Sequence, residues 1–420
     1  MSEYFESDVS SETSELSEES ESSEGSELSE GHYVGEEGHT VHNYCLQDYL
    51  GHGSYGVVWS AFNTAQLCSS ASSTSSTSST SSVALKIGRS ENISDRETRM
   101  LGLVSNPHHE NVIRLFDHFM WDSRVVMVLD KMDMDLFTMR RDYEFDQKHI
   151  CVQMCRGLAH LHVHGVVHGD LKPENIMVKH VSGTQWLVKI ADFGGASTID
   201  GDICDYGQTV AYRSPEAVVG DTLAMRPPAD VWSCACIVFE IFCDNVLFDP
   251  NESNHYSAHS TASWESSLRS NHEQLALMQE VLGQFPKRFA KKHREYFNSK
   301  GNLKDTKPIK TFDMRVVMVA ECDLTPQMAD ELYQFLKKML MYTPRLRCSA
   351  TDCLAHPFLA SQEIPSVATE VTSKVVSDEN RRGDEGCPTP QKDEHSVCSA
   401  EKPKVEQKEE QTSAEFGTVQ

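Results

Sequence analysis

The amino-acid sequence predicts an α+β fold of two lobes, a small lobe of antiparallel β-strands followed by a larger, mainly helical lobe. Between residues 49 and 129, short apolar runs rich in Val are separated by polar turns, which is typical of strands. From Ile150 to Leu161, apolar residues recur at helical spacing, and Gly165 follows as a stop signal. The chain of 420 residues is long enough to bury two such lobes.

Both ends of the chain have compositions that predict disorder. Residues 1–44 form an acidic Ser/Glu-rich tail without Lys or Arg, and residues 361–420 are charged and polar without apolar periodicity. Neither segment can bury enough apolar surface to offset the entropy of ordering it. We therefore expect one folded domain at residues 45–360 between two disordered tails. The N-terminal serines are either part of a solvated, self-repelling segment or acceptors for acid-directed kinases.

The formal net charge of −25 comes mainly from the two tails. Their acidity favours solubility and basic partners, and no basic stripe is evident between them, which argues against direct nucleic-acid binding. No apolar run could span a bilayer, no apolar signal segment follows Met1, and the 13 cysteines form no Cys-x-x-Cys pair. These observations predict a soluble, intracellular monomer of the cytoplasm or nucleus, without membrane contact or a zinc site.

A glycine-rich segment opens the predicted domain. Gly51, Gly53 and Gly56 lie within an alternating apolar stretch, and the β-formers Val57 and Val58 follow the last glycine. A dinucleotide-binding fold would place a helix there. The segment therefore predicts a hairpin lid, whose backbone N–H groups can approach phosphates without interference from Cβ atoms.

The next strand predicts a buried ion pair. It follows a low-complexity insertion of Ser, Thr and Ala at residues 69–82, and it carries Lys86 inside the apolar run 83–87. A lysine in such a strand is costly unless it is paired. Glu97, eleven residues later, is the expected partner. The alternative, that both are surface charges, is weaker for Lys86 than for Glu97.

Residues 167–175 combine an acid, a base and an amide between two apolar runs. Asp170 can accept a hydroxyl proton, Lys172 can neutralise a phosphate, and Asn175 can hold a metal ion. This combination suits phosphoryl transfer, in which positioning and charge stabilisation provide most of the catalysis.

From about residue 49 to residue 358, the chain resembles a eukaryotic protein kinase. The motifs that carry the resemblance follow in order: G-H-G-S-Y-G-V-V, V-A-L-K, H-G-D-L-K-P-E-N, D-F-G, S-P-E and D-V-W-S. Lys172 and Thr209 match the residues that serine/threonine kinases carry at the corresponding positions of these motifs. Tyr212, Arg213 and a group-specific insert at residues 251–310 are most similar to SR-protein and CDC-like kinases.

The resemblance implies a bilobal kinase fold that uses ATP and Mg²⁺ to phosphorylate Ser/Thr hydroxyls of protein substrates. The implied catalytic residues are Asp170, Lys172 and Lys86. The implied ATP-binding residues are Leu50, Gly51, Gly53, Gly56, Val58, Ala84, Lys86, Glu97, Leu129, Asp130, Met132 and Asp135. Asn175 and Asp192 would hold Mg²⁺. Asp230 and a Glu216–Arg347 pair would support the catalytic loop and the activation segment.

Two further expectations concern regulation and substrates. Gly169 replaces the Arg that usually precedes the catalytic Asp, and Cys204 stands where an activating Thr is common, so we expect activity without activation-loop phosphorylation. Acids at residues 130, 133, 135 and 174 favour basic, Arg/Ser-rich substrates, or else they serve ATP or solvent. The rival to an active enzyme is a pseudokinase scaffold that binds basic partners through its acidic tails.

Overall fold

The computed structural model describes residues 36–53, 56–64, 82–89, 91–201, 208–221, 226–249, 266–304, 306 and 308–360, without the side chains of 91–94 and 266–270. Two compact units are distinguished, Met1–Glu363 and Ile364–Gln420, and every described residue lies in the first. Residues 1–35 of the predicted N-terminal tail, the predicted C-terminal tail, the insertion at 69–81, part of the 251–310 insert and Cys204 lie outside the described residues. Residues 36–44, which the sequence assigns to the N-terminal tail, instead contain the strand Thr40–Val41, because Val41 and Tyr44 belong to the buried core.

The N-terminal lobe contains an antiparallel sheet of six strands in the order β1-β2-β3-β4-β6-β5. These strands are β1 (Thr40–Val41), β2 (Tyr44–Gly53), β3 (Gly56–Asn63), β4 (Ser82–Gly88), β5 (Leu115–Trp121) and β6 (Arg124–Asp130). The sheet curls: β2 and β5 are not neighbours in the strand order, yet Phe119 of β5 stacks on Tyr44 of β2 with ring centroids 6.1 Å apart. The β-rich small lobe expected from the sequence is thereby confirmed.

The alternation of side chains along β4 decides which face of the sheet carries Lys86. Leu85 and Ile87 belong to the core of the lobe, so Lys86 between them points to the opposite face of the sheet. Lys86 is paired with Val58 of β3 and Met127 of β6. Gly56 must be a glycine, because a Cβ there would lie 2.3 Å from the carbonyl oxygen of Ile87.

Helix α1 (Glu91–Val104) packs against the turn Phe193–Gly195, which connects the two lobes. The largely apolar run at residues 112–119 predicts the next strand, whereas β5 spans Leu115–Trp121. The reason is that Val112 forms a parallel bridge with Ile190 of the C-terminal lobe, which leaves only the later residues for the antiparallel sheet.

The C-terminal lobe is mainly helical and is built around α3 and α5. Its helices are α2 (Leu136–Asp142), α3 (Gln147–Val163), α4 (Pro215–Val218), α5 (Pro227–Cys243), α6 (Ser266–Leu282), α7 (Lys287–Lys292), α8 (Met314–Ala320), α9 (Pro326–Met339), α10 (Ala350–Leu354) and α11 (Pro357–Ala360). Its short strands are β7 (Met134–Asp135), β8 (Val166–Val167), β9 (Ile176–Ser182), β10 (Gln185–Ile190) and β11 (Ser197–Thr198). The predicted helical lobe is confirmed, and α3 covers the predicted helical stretch.

The cysteines of α3 and α5 are free and buried, as expected for small apolar side chains. Burial raises the pKa of the Cys151 and Cys236 thiols. Within the described ranges, no helix is long and apolar enough to cross a membrane, and no cluster of three or more His, Cys, Asp or Glu side chains could hold a metal ion.

One surface contradicts the expectation that the domain carries no basic stripe. Lys287, Arg288, Lys291 and Lys292 of α7 are all exposed, while Ala290 is buried. The surface is hard to recognise in the sequence, because Phe289 and Ala290 separate the two pairs of basic residues.

Candidate active site

Asp230 fixes the backbone of the catalytic loop. It lies in the first turn of α5, is fully buried, and accepts hydrogen bonds from the backbone N–H groups of His168 and Gly169, each at 2.9 Å. His162 Nε2 also lies 3.0 Å from the same carboxylate. Because three donors converge on one buried acid, the loop is held in one conformation. This arrangement agrees with the supporting position expected for Asp230.

His168 joins the catalytic loop to the segment that contains Asp192. Its Nε2 lies 2.9 Å from the carbonyl oxygen of Ala191, and the ring packs edge-on against Phe193 at 5.2 Å. Since a carbonyl oxygen can only accept, Nε2 carries the proton. Nδ1 then accepts from the backbone N–H of Asp170 at 3.3 Å. A neutral imidazole thus connects the loop on both sides.

The Asp170 carboxylate is oriented by the activation segment. Its Oδ1 accepts from Thr209 N at 2.9 Å and from Thr209 Oγ1 at 2.7 Å. Its Oδ2 lies 3.8 Å from Lys172 Nζ, and both side chains are about a quarter exposed, at 23% and 27%. One oxygen is therefore held by the protein, while the other faces a cation and remains accessible to a substrate hydroxyl.

Asn175 lies beside Asp170 at the end of the 3₁₀ turn Pro173–Asn175. Its Nδ2 donates to the Asp170 carbonyl oxygen at 2.7 Å, which leaves Oδ1 as the free acceptor of the amide. Its own carbonyl oxygen accepts from Ala191 N at 2.9 Å, so Asn175 is tied to the residue that precedes Asp192. An amide oxygen and a carboxylate are oxygen ligands of the kind that Mg²⁺ prefers.

Lys86 forms two ion pairs at the boundary between the lobes. Its Nζ lies 2.7 Å from Glu97 Oε1 on α1 and 2.9 Å from Asp192 Oδ1. The buried Lys86–Glu97 pair expected from the sequence is present, although only eleven residues separate its members. Thus α1 is bound to β4, and β4 to the segment that carries Asp192.

The charges of this triad shift one another's pKa values. Burial alone would lower the pKa of Lys86, but the two facing carboxylates outweigh it and raise that pKa. Burial would raise the pKa of Asp192, yet the charge and hydrogen bond of Lys86 lower it below its usual value. Burial raises the pKa of Glu97 against the opposing effect of Lys86. At neutral pH the triad therefore contains a cationic Lys86 and an ionised Asp192.

Gly169 and Asp192 have left-handed backbone conformations. Gly169 has φ +79°, a conformation that glycine adopts without steric cost. Asp192 has φ +62°, which is strained for a side chain with a Cβ but more tolerable for Asp than for most residues. Because its backbone takes this turn, the Asp192 carboxylate can reach Lys86.

The predicted adenine-pocket residues lie together on the sheet. Ala84 of β4 and Leu129 of β6 are cross-strand partners, and both are buried. In the hairpin above them, Gly51 is paired with Val58, and Gly53 with Gly56. Leu50 is 44% exposed at the edge of this hairpin, and Met132 is buried in the connector after β6.

The acids of the connector already have partners within the protein. The Asp130 carboxylate accepts from Arg114 N at 2.8 Å and lies 3.0 Å from Lys189 Nζ. Asp133 accepts from His180 N at 2.8 Å, and Asp135 caps α2 through Thr138 N at 2.7 Å. Glu174, in contrast, is exposed in the catalytic loop.

Sequence reasoning missed the role of Lys189. This lysine is buried in β10, where it pairs with Asp130 and fixes the connector between the lobes. The signal was available, since a lysine within the apolar run 186–190 requires a partner for the same reason as Lys86 does. The expected Glu216–Arg347 pair is present, with two contacts of 2.7 and 3.0 Å between almost fully buried side chains.

Comparison with known proteins places this geometry in a family. The family model of the protein kinase domain matches residues 44–359. The serine/threonine-protein kinase SRPK of Physarum polycephalum is 27% identical over 76% of this chain and 86% of its own length. The dual specificity protein kinase lkh1 of Schizosaccharomyces pombe is 28% identical over 78% of this chain and 49% of its own.

A third relative is more similar over a shorter stretch. SRSF protein kinase 3 of Mus musculus is 33% identical over 41% of this chain and 28% of its own length. The chain thus spans less than half the length of two of these three relatives. All three are named as kinases, and none supports the scaffold alternative. The chain belongs to the protein kinase family, and within it to the serine/threonine kinases of the group that contains the SR-protein and CDC-like kinases.

Proposed function

We propose that this serine/threonine kinase transfers the γ-phosphoryl group of ATP with Asp170, Lys172 and Lys86 as its catalytic residues. The single observation that carries this proposal is the convergence of Lys86, Glu97 and Asp192 next to the loop of Asp170 and Asn175. Five polar side chains from three separate parts of the sequence meet at one place, and each has the chemistry that one part of phosphoryl transfer requires.

The reaction uses these side chains as follows. Asp170 accepts the proton of the substrate hydroxyl while that oxygen forms a bond to the γ-phosphorus, and the bond from phosphorus to the β–γ bridging oxygen breaks to release ADP. Lys172 offsets the negative charge that develops on the transferred group. Lys86, held by Glu97, binds the α- and β-phosphates. Asp192 and Asn175 offer the oxygen ligands for Mg²⁺, which neutralises phosphate charge when bound.

The experiment separates nucleotide binding from transfer. Lys86→Met and Asp192→Ala should each abolish Mg²⁺-dependent transfer of labelled γ-phosphate to a basic Ser-rich peptide. Lys338→Met, which changes an exposed lysine of α9, should retain the wild-type rate. Transfer that is equally absent in the wild-type protein would contradict the proposal and favour the pseudokinase scaffold, which binds partners without catalysis.

We infer that the substrates are basic, Arg/Ser-rich segments, and that Glu174 selects them. Two relatives carry the names SRPK and SRSF protein kinase, which supports this substrate class. Asp130, Asp133 and Asp135 are engaged by backbone N–H groups of the protein. Of the four acids considered, exposed Glu174 is therefore the best placed to pair with a substrate guanidinium.

A peptide series tests this assignment. Replacing the Arg residues of an Arg/Ser peptide by Ala should raise the KM of the wild-type enzyme about tenfold, which corresponds to the loss of one charge pair of about 1.4 kcal/mol. Glu174→Gln should lose most of this discrimination. The control is Glu144→Gln, an exposed acid outside the catalytic loop. Equal discrimination in both variants would contradict the assignment of Glu174, although it would leave the phosphoryl-transfer proposal intact.

We further propose that the kinase acts as a monomer in the cytoplasm or nucleus and binds neither nucleic acid nor membrane directly. The nine cysteines of the described part are all free, which supports a reducing compartment. Light scattering of the purified chain would test the monomeric state, and fractionation of expressing cells would test the compartment.

A further inference from the structure

A dense group of positive charges lies outside the active site. Residues 286–310 contain nine Lys or Arg and only two acidic residues, in a chain whose net charge is −25. Nearly a quarter of the 38 basic residues of the chain is thus found in 25 positions. No step of phosphoryl transfer uses them.

Helix α7 arranges part of this group on one exposed face. Lys287 and Lys291 lie one turn apart, as do Arg288 and Lys292, and all four are exposed. The opposite face is anchored, because Phe289 packs at 5.2 Å from the ring of Phe285. The charges are therefore displayed on a helix that is held in place by aromatic packing.

The loop after α7 extends the surface. A Cβ at Gly301 would lie 3.6 Å from that of Ala290, so the loop folds back against the helix. Lys304 Nζ donates to the carbonyl oxygen of Arg294 at 2.6 Å, and Arg294 and Lys300 are exposed. We call Lys287, Arg288, Lys291, Lys292, Arg294 and Lys300 the basic surface.

Little of this charge is neutralised locally. Among the described residues, Lys292 pairs with Asp221, and the remaining members of the basic surface have no carboxylate within ion-pair distance. Of the two acids within residues 286–310, Glu295 lies 3.3 Å from His293, and Asp305 lies outside the described residues. Such a one-sign surface attracts a polyanion, with a strength that falls as salt is added.

We propose that the basic surface binds the acidic N-terminal segment of this same chain, residues 1–35. That segment contains eleven acidic residues and eleven serines, and it has no Lys or Arg. The C-terminal segment, residues 361–420, carries seven basic residues beside its thirteen acids and is the poorer match. This proposal goes beyond phosphoryl transfer and does not depend on it.

Residues 1–35 are long enough to reach the basic surface, and many weak ion pairs are enough to hold them there. A chain of 35 residues can span roughly 115 Å, whereas a domain of this size has a radius of gyration of about 20 Å. Individual exposed ion pairs are weak, but a tethered segment acts at an effective concentration in the millimolar range. Many weak pairs therefore suffice for binding within one chain. Phosphorylation of the serines would add negative charge and strengthen the interaction.

The test measures binding of a fluorescent peptide of residues 1–35 by anisotropy at about 50 mM salt. The first protein is the full chain with the acids of residues 1–35 changed to Asn and Gln, so that its own segment cannot compete. It should bind the peptide at least fivefold more tightly than the wild-type chain does. Equal affinity for both proteins would show that the segment does not occupy the surface in the wild-type chain and would overturn the proposal.

The second comparison locates the surface. In the neutralised chain, Lys287→Glu/Lys291→Glu should weaken peptide binding at least tenfold. Lys337→Glu/Lys338→Glu makes the same change in charge at exposed positions of α9 and should alter affinity less than twofold. Both variants should retain wild-type kinase activity, which excludes unfolding as the cause.

Equal losses in the two variants would overturn the proposal, because they would reveal only nonspecific attraction. A fluorescent oligouridylate serves as the rival ligand. Tighter binding of this RNA than of the peptide, lost in Lys287→Glu/Lys291→Glu, would overturn the proposal in favour of a nucleic-acid surface.

Discussion

Thr209 donates two hydrogen bonds to a single oxygen of Asp170, from its backbone N at 2.9 Å and from Oγ1 at 2.7 Å. One residue of the activation segment thereby holds the acid that we propose as the acceptor of the substrate proton. The activation segment, of which residues 202–207 lie outside the described part, thus orients this carboxylate.

Removing the Thr209 hydroxyl should reduce the rate without changing ATP binding. A hydrogen bond to a charged group contributes about 1.5–3 kcal/mol, so Thr209→Val should lower kcat by about 10-fold to 100-fold. Thr209→Ser retains the hydroxyl and should stay within about threefold of the wild type. Steady-state kinetics with both substrates distinguish the cases, and a KM for ATP that rises with no fall in kcat would contradict this positioning role.

Changing Asp230 should destabilise the whole catalytic loop. Asp230→Ala leaves the buried N–H groups of His168 and Gly169 without an acceptor, and each such group costs about 1–3 kcal/mol. We expect the free energy of unfolding to fall by about 3 kcal/mol or more, and by less for Asp230→Asn, which keeps one acceptor oxygen. Urea denaturation measures both. A loss below about 1 kcal/mol for Asp230→Ala would contradict this account of the loop.

The stability contributed by Asp192 should depend on pH in a defined direction. Its pKa in the folded protein lies below its usual value of 3.8 because Lys86 favours the charged form. A lowered pKa stabilises the fold above the pKa of the unfolded state, and this stability is lost as the pH falls through the folded pKa. Wild type should therefore exceed Asp192→Asn in free energy of unfolding by about 1–2 kcal/mol at pH 7.

The two unfolding curves should begin to converge as the pH falls below about 4, and they should meet only below the folded pKa, where the carboxylate is protonated in both states. Asn is a suitable replacement because it tolerates the positive φ of this position. Denaturation at several pH values provides the measurement. A difference between wild type and variant that stays constant from pH 7 to pH 3 would show that Lys86 does not favour the charged form.

Gly169 leads to a prediction about regulation. With a glycine before Asp170, there is no side chain to receive a phosphate of the activation loop, so enzyme from bacteria should keep its rate after phosphatase treatment. Mass spectrometry would confirm that phosphate has been removed, and a rate reduced by more than about fivefold would contradict the prediction.

Gly169→Ala should cost about 1–2 kcal/mol of stability, because its φ of +79° is unfavourable for a Cβ.

Local patterns were enough to predict much of the site. The buried lysine of β4 required a partner, and the acid eleven residues later in α1 was the one found. The loop around Asp170 was recognisable because its acid, base and amide are close in sequence. In both cases the decisive information lies within a few turns of chain.

Other relationships depend on exposure and on distant contacts, which a sequence does not display. Lys189 pairs with Asp130 at the connector. Strand β5 begins later than the sequence predicts, because Val112 forms a bridge to the other lobe. The basic surface became visible only when burial separated the charges of α7 from the aromatic residues between them. Hydrogen bonds from backbone N–H groups, likewise invisible in the sequence, engage three of the four acids that were considered for substrate recognition.

Asp170 is the residue that we propose as the catalytic acceptor of the hydroxyl proton. The most direct measurement compares single-turnover transfer of γ-phosphate by wild type and by Asp170→Asn, with saturating ATP, Mg²⁺ and an Arg/Ser peptide. We predict that the variant binds ATP with unchanged affinity but transfers phosphate about 10²–10⁴-fold more slowly. A variant that transfers phosphate at the wild-type rate would contradict the account.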